Sequence, residues 1–426
     1  MSAQSDKFVI IGNGSAAISA LQAINAANPA AEVTVISQET YPCYSPTALH
    51  YLLERRIPED KMWLRESSFY VDRNTRLLNG RKASAVNAEN HKVTLDDGTE
   101  LSFDCLLIAT GASPVIPPLP GLEGPGVLTL RTLDDAKHLR ELAVRGGRVL
   151  ILGAGLVGLQ MAHAFREMGL QVVVVEKESQ VLPLNLNSKA ADMIGACYRE
   201  HGVEVLTGRT LVGLSREGSG GRMIAELSDG GAIKADFVLV AVGVRPNVAF
   251  LEGSGIAVQR GVVVDDRMQA SAPGVYAAGD VVEAPDFFTG EPSYNAILPA
   301  AVEQGDVAGT NMAGGAKRFA GNIPMNILRC WNDCVASVGK VSGPTVLESE
   351  WSGARRYQRL IMEDSKLVGG VFVNVAVDPG VILSLVRNRV ELSEKDAELL
   401  MEAPGHYGRK MMLRQEGYLR QRVSIA

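Results

Sequence analysis

A chain of 426 residues is too long for one hydrophobic core and points to two or three domains. Its hydrophobic share of 46% and charged share of 21% are those of an ordinary globular protein, and 44 glycines fit an α/β protein with many tight turns better than a helical bundle. The net charge of −6 gives no reason to expect a nucleic-acid partner and suits small anionic ligands held locally by backbone amides.

Met1 to Lys7 is polar and lacks the apolar stretch of a signal peptide. No apolar run reaches the roughly 20 residues that span a bilayer. The five cysteines, Cys43, Cys105, Cys197, Cys330 and Cys334, are too few for a disulfide framework in a chain this long. A cytoplasmic location is the expectation.

Residues 8–12 and 32–37 read as two strands joined by a helix from Ala16 to Ala27, the opening of a parallel, doubly wound sheet. In the turn after the first strand, Gly12 permits the tight bend, Gly14 lets backbone approach a pyrophosphate, and Ala17 permits close helix–strand packing. A ribose carboxylate is expected at the end of the second strand. That strand ends at Ser37, and Glu39 is the nearest acid; the competing reading of Glu39 is a solvated loop residue. Asp104 to Ala112 holds another buried strand, and Pro114, Pro117, Pro118 and Pro120 then mark a linker.

A second strand–turn–helix begins at Arg148, where Gly153, Gly155 and Gly158 hold all three positions of GxGxxG. Its second strand, Gln171 to Glu176, ends on a carboxylate that would accept from ribose hydroxyls and repel a 2′-phosphate, favouring NADH; Lys177 beside it softens that preference. The strand in 235–243 closes on Gly243 and repeats the shape of 104–111. Two such turns in strand–turn–helix context are far more specific than one. A chain that holds two dinucleotides most economically passes electrons between them, which points to a flavoprotein that uses a nicotinamide nucleotide. Further on, Val275 to Asp280 reads as a strand ending at a glycine turn, and 316–392 mixes strand-like runs with a helix from Val381 to Arg389. The last segment is a helix with a basic tail carrying Arg409, Lys410, Arg414, Arg420 and Arg422, either a solvated face or a docking surface for an acidic partner.

With both glycine turns, Ala109-Thr110-Gly111, Gly243-Val244-Arg245-Pro246-Asn247 and Ala278-Gly279-Asp280 in order over residues 8–390, the chain resembles the FAD-dependent pyridine nucleotide-disulfide oxidoreductases. The resemblance implies an α/β fold of two Rossmann-like dinucleotide-binding domains plus a small C-terminal α+β domain. FAD would occupy 1–120 with 240–315, NAD(H) would occupy 121–239, the α+β domain would cover 316–392, and helix and tail 393–426. Around FAD it places Gly12, Gly14, Ser15, Ala16, Glu39, Ser45, Ala83, Ala109, Thr110, Gly111, Arg131, Gly279, Asp280, Leu298 and Pro299. Around NAD it places Gly153, Gly155, Leu156, Val157, Gly158, Gln160, Glu176, Lys177 and Gly243, with Gln160 standing where a glutamate is common.

Within that family the paired CxxxxC of disulfide reductases is missing, and Thr47 stands where single-cysteine members carry their thiol. Cys43 is one residue before Tyr44, the wrong place for that role, and reads as a small apolar filler. Tyr41 to Leu49 resembles the P-Y-x-R-x-x-L stretch of ferredoxin and rubredoxin reductases and nitrite reductase flavin domains, with Pro46 in place of arginine and Tyr51 in place of lysine. Tyr357 to Gly370 and Asp378-Pro379-Gly380 resemble the C-terminal domain of the same branch. The branch implies hydride transfer between nicotinamide C4 and flavin N5 and electron exchange with a one-electron iron–sulfur carrier. Several of its members are flavin subunits of larger complexes, including 2-oxoacid dehydrogenases of the phenylglyoxylate type. No side-chain acid, nucleophile or metal is required for the hydride step.

Two other classes compete: a free-standing NADH-dependent reductase or oxidase of a small molecule, and a non-catalytic nucleotide-binding flavoprotein. Cys330 and Cys334 are read as structural, since further metal ligands are missing nearby in sequence; the competing reading of their CxxxC spacing is a reversible disulfide. His50 is either close to the flavin or packed on a first-domain helix.

Overall fold

A computed structural model describes residues 7–218, 221–351 and 353–423, with side chains described through residue 413. In chain order the elements that position the site are β1 (Lys7–Ile11), α1 (Ser15–Ala27), β2 (Glu32–Ser37), β3 (Thr75–Asn79), β4 (Cys105–Ile108), β5 (Arg148–Leu152), α2 (Leu156–Glu167), β6 (Gln171–Glu176), α3 (Ser188–Glu200), β7 (Val203–Thr207), β8 (Phe237–Val240), β9 (Val275–Ala277) and α4 (Leu298–Met312). They are followed by β10 (Met325–Cys330), β11 (Asp333–Gly339), β12 (Thr345–Glu350), β13 (Tyr357–Glu363), β14 (Lys366–Val373), α5 (Pro379–Arg387), α6 (Glu394–Glu402) and α7 (Pro404–Val423). The α/β class expected from the sequence is the class observed.

The chain divides into two compact units. The first takes 1–115, 131–136 and 244–322, of which the described part begins at Lys7. Its sheet runs β9-β4-β1-β2-β3, all parallel, with Ile10 paired to Val35 on one side and to Leu107 on the other. Strands covered on both faces need unbroken apolar runs, and Phe8 to Ile11 and Leu106 to Ile108 supply them, every one of these side chains being buried. α1 and α4 pack at backbone distance, because Cβ atoms at Gly305 and Gly309 would meet the Ala16 and Ala20 carbonyl oxygens at 2.2 and 2.3 Å. A small antiparallel sheet, 83–87, 92–95 and 100–102, branches from this unit.

The second unit takes 116–130, 137–243 and 323–426. Its parallel sheet runs β7-β6-β5-β8 and ends on the short strand Val127–Leu128. A separate antiparallel sheet runs β10-β11-β14-β13-β12 and carries α5 against it. Trp331 and Asn332 make the two-residue turn between β10 and β11, Trp331 taking a left-handed φ of 48°. Arg414, Arg420 and Arg422 fall on α7, but their side chains lie outside the described residues.

Candidate functional site

The two glycine turns are built alike. Gly12 N–H donates to Ile36 O and Gly153 N–H to Val175 O, each at 2.8 Å, locking each turn to the second strand of its own sheet. Both glycines have positive φ, 115° and 101°, and a Cβ would strike the carbonyl of Ala109 at 2.1 Å or of Ala241 at 2.5 Å. Gly14 and Gly155 are the N-cap residues of α1 and α2, and neither helix start receives a side-chain cap. No atom lies within 4 Å of where a Cβ of either would stand. The first-turn amides of both helices therefore face open space, the cradle a pyrophosphate fills. These residues fit the phosphates of a dinucleotide in each unit.

The turns differ at the end of the second strand. Glu176 is 6% exposed; its carboxylate accepts from the Ala154 amide at 2.7 Å and from the Glu178 amide at 3.0 Å. A carboxylate has about four acceptor positions, so roughly two stay open for ribose hydroxyls. Lys177 points into solvent and pairs with Glu178 at 3.5 Å. Gly158 allows helix and turn to touch, since a Cβ there would lie 2.0 Å from Gly153 O. Leu156, Val157 and the half-buried Gln160 follow on α2, and Gly243, with φ of 120°, lies beyond β8. The whole second set belongs to the strand ends and helix start of one sheet.

In the first unit the position matching Glu176 is Ser37, whose hydroxyl donates to Glu39 O at 2.8 Å. Glu39 is turned toward Tyr44: the phenol donates to its carboxylate at 2.5 Å and accepts from Leu133 N–H at 2.9 Å. Burial, reinforced by Asp134 and Asp135, holds the Glu39 carboxyl above its ordinary range, with the Tyr44 bond and Arg131 acting against it. The Arg131 guanidinium pairs with Asp280 at 2.9 Å, both side chains partly exposed. The Arg131 and Thr132 amides donate to Asp135 at 2.8 and 3.0 Å, which fixes this segment. Tyr294 donates to Asp280 O at 3.1 Å, and burial with the Asp280 charge pushes its phenol up to about 12.

Ala109-Thr110-Gly111 follows β4 and Gly279-Asp280 follows β9, so both stand with Gly12, Gly14, Ser15 and Ala16 at the carboxyl ends of one parallel sheet, the usual place for a ligand. Gly279 N–H donates to the buried Gln304 at 2.9 Å. Leu298 and Pro299 are exposed at the start of α4. Ala83 is the buried first residue of the 83–87 strand, held beside the end of β2 by the Arg81 amide donating to Ser37 O at 2.9 Å. Ser45 is buried, with its hydroxyl 2.8 Å from that of Thr47. His50 lies against the Tyr51 ring at 3.9 Å. Cys43 is buried and burial pushes its thiol up to about 12, in keeping with an apolar filler.

Two contributions owe their roles to the fold alone. Asn247 stitches the 109–111 turn shut: its amide donates to Thr110 O at 2.9 Å, and its carbonyl accepts from Thr110 Oγ1 at 2.9 Å. Tyr70 donates to Asn13 at 2.5 Å, inside the first glycine turn. Asn247 was visible as part of a motif, though without its role; Tyr70 carried no signal at all. Among the described residues no cluster of three or more His, Cys, Asp or Glu has metal-binding geometry, and no helix is long and apolar enough to cross a membrane.

The family described as pyridine nucleotide-disulphide oxidoreductase matches residues 6–305. The chain is 34% identical to the NADH-dependent phenylglyoxylate dehydrogenase subunit epsilon of Aromatoleum evansii, over 95% of this chain and 97% of that one. It is 34% identical to an NADH oxidase of Methanocaldococcus jannaschii, over 73% of this chain and 71% of that one. Among solved structures, the ferredoxin reductase for the CYP199A2 system of Rhodopseudomonas palustris superposes with a TM-score of 0.85 at 25% identity, covering 92% of this chain and 97% of that one.

Proposed function

The chain belongs to the pyridine nucleotide-disulphide oxidoreductase family and is an FAD-dependent NAD(H) oxidoreductase, and on that premise we propose that it exchanges electrons with an iron–sulfur protein as the NAD-facing subunit of a larger 2-oxoacid dehydrogenase complex. The observation that carries this reading is a loop without a usable thiol: Thr47 occupies the cysteine position, its hydroxyl against Ser45, and Cys43 is sealed in the core. A loop of that kind offers no protein sulfur to a disulfide or peroxide substrate. The end-to-end likeness to a subunit named for an NADH-dependent dehydrogenase, and the likeness to a ferredoxin reductase, support the same partner class.

Bound flavin accepts a hydride and gives up electrons singly, which links two-electron NAD(H) to a one-electron carrier. The chain's own residues bind and orient. The α1 amides behind Gly12 and Gly14 would hold the FAD phosphates, and Asp280, fixed by Arg131, would contribute to the same site. The α2 amides would hold the NAD phosphates, and Glu176, oriented by the Ala154 amide, would accept from the ribose. No side chain is assigned a catalytic proton.

Anaerobic reduction of the flavin by NADH, followed by addition of a ferredoxin-type protein or of oxygen, tests the reading. Fast reoxidation by the iron–sulfur protein and slow reoxidation by oxygen is expected. Rapid turnover with oxygen alone would establish an oxidase, in line with the M. jannaschii relative. A bound flavin that NADH does not reduce would make the protein a non-catalytic binder. Purification from its own cells with a subunit and iron census tests membership of a complex.

A further inference from the structure

Away from both glycine turns, α3 meets the β10–β11 hairpin through two thiols. Cys197 Sγ and Cys330 Sγ are 3.9 Å apart, and both residues are fully buried. The hairpin register shows which thiol Cys330 faces. Cys330 pairs with Asp333 and Arg329 with Cys334, so Cys330 and Cys334 project from opposite faces and cannot join. The partner is Cys197, 133 residues away.

The hairpin is held firmly in front of α3. Trp331 stacks on the His201 ring at 4.0 Å and 11°, and its indole N–H donates to Glu167 at 2.7 Å. Arg355 bridges Asp333 on the hairpin and Glu200 on α3. The two sulfurs are thus kept at van der Waals distance by contacts that do not involve them. His201 Nδ1 lies 2.8 Å from Cys197 O and 3.9 Å from Cys197 Sγ, and among the described residues no group of three or more His, Cys, Asp or Glu could hold a metal ion here.

We propose that Cys197 and Cys330 form a redox-modification site, a dithiol that hydroperoxides convert to a reversible disulfide stapling α3 to the β10–β11 hairpin. The Cys197 thiol, the Tyr198 hydroxyl and the Arg355 charge favour the Cys330 thiolate against burial and the Asp333 carboxylate, while the Cys330 sulfur, burial and Asp333 hold the proton on Cys197, so Cys330 ionises first. The Cys330 thiolate attacks a peroxide oxygen, the O–O bond breaks, and hydroxide (or alkoxide) leaves, giving a sulfenic acid. Cys197 sulfur then attacks Cys330 sulfur; the S–O bond breaks, the S–S bond forms, and the thiol proton leaves with the hydroxide as water. Two thiols are oxidised and one peroxide is reduced. The sulfurs must close from 3.9 Å to about 2.05 Å, a rotation of side chains with a small shift of the hairpin. Since neither sulfur meets solvent, the reaction waits on local opening of this unit and is slow.

The test is hydrogen peroxide treatment of the full chain, blocking of remaining thiols with N-ethylmaleimide, and peptide mapping by mass. A peptide pair linked through Cys197 and Cys330, two hydrogens lighter than the sum of its parts and released by dithiothreitol, is expected, with a higher Tm for the oxidised form. Cys197→Ser and, separately, Cys330→Ser must abolish both the link and the Tm shift. Irreversible oxidation of Cys330 without a link, or a link through Cys334 instead, overturns the proposal. Mapping the unaltered chain needs no variant to fold, so the result stands even where a serine variant does not.

Discussion

Replacing Glu176 by glutamine alters one atom of a buried carboxylate and separates two duties of that side chain. Both oxygens are engaged by backbone amides, Ala154 N at 2.7 Å and Glu178 N at 3.0 Å, and Ala154 is itself fully buried. Glutamine keeps one acceptor and turns an NH2 toward the other amide, so one charge-assisted bond is lost and one N–H is left facing a donor. Together these cost about 2–3 kcal/mol. For a unit of this size that is a fall in Tm of roughly 4–12 °C. The ribose hydroxyls lose a charged acceptor as well, for roughly a tenfold rise in KM for NADH. Thermal melts of the cofactor-free chain measure the first effect and steady-state kinetics of the loaded protein the second. A Tm within about 1 °C of the unaltered chain, with an unchanged KM, would refute both the structural and the ribose roles. Glu176→Arg also weakens NADH use, but it buries a positive charge against the same two N–H donors and mixes the two effects.

Gly14→Ala adds a methyl in open space at an ordinary φ of −92°, so the cofactor-free Tm should hold while FAD affinity falls roughly tenfold to a hundredfold, read by flavin fluorescence on dilution; unchanged affinity would place the phosphates elsewhere. Gly309→Ala does the reverse, driving a Cβ to 2.3 Å from Ala20 O and separating α1 from α4 at a cost of about 1–3 kcal/mol, seen as a lower urea midpoint; a midpoint equal to the unaltered chain's would refute the close packing. Glu39 binds its proton more tightly folded than unfolded, so its contribution to stability is full below the ordinary carboxyl range and is lost as pH rises through the folded value. Glu39→Gln should flatten that decline in melts taken as pH rises above the ordinary carboxyl range, and an unaltered slope would show that burial does not govern the group.

The sequence by itself determined the two βαβ units, their glycine turns and the strand-end Glu176. Each is a local pattern: buried parallel strands demand apolar runs, a tight turn demands glycine, and both signals fit inside about 30 residues. Set beside the family it resembles, it also placed Thr47 where single-cysteine members carry their thiol. Only the tertiary structure decided which side chains complete the sites. Tyr44 reaches Leu133 across 89 residues, Arg131 reaches Asp280 across 149, and Asn247 closes the Thr110 turn across 137. It turned Glu39 toward a phenol, and it set the Cys330 sulfur 3.9 Å from that of Cys197, which lies 133 residues away in the sequence. Contacts of this kind are set by how sheets and helices stack once the backbone is folded. Periodicity and turn chemistry report only the conformation of neighbouring residues and are blind to what lies across the core.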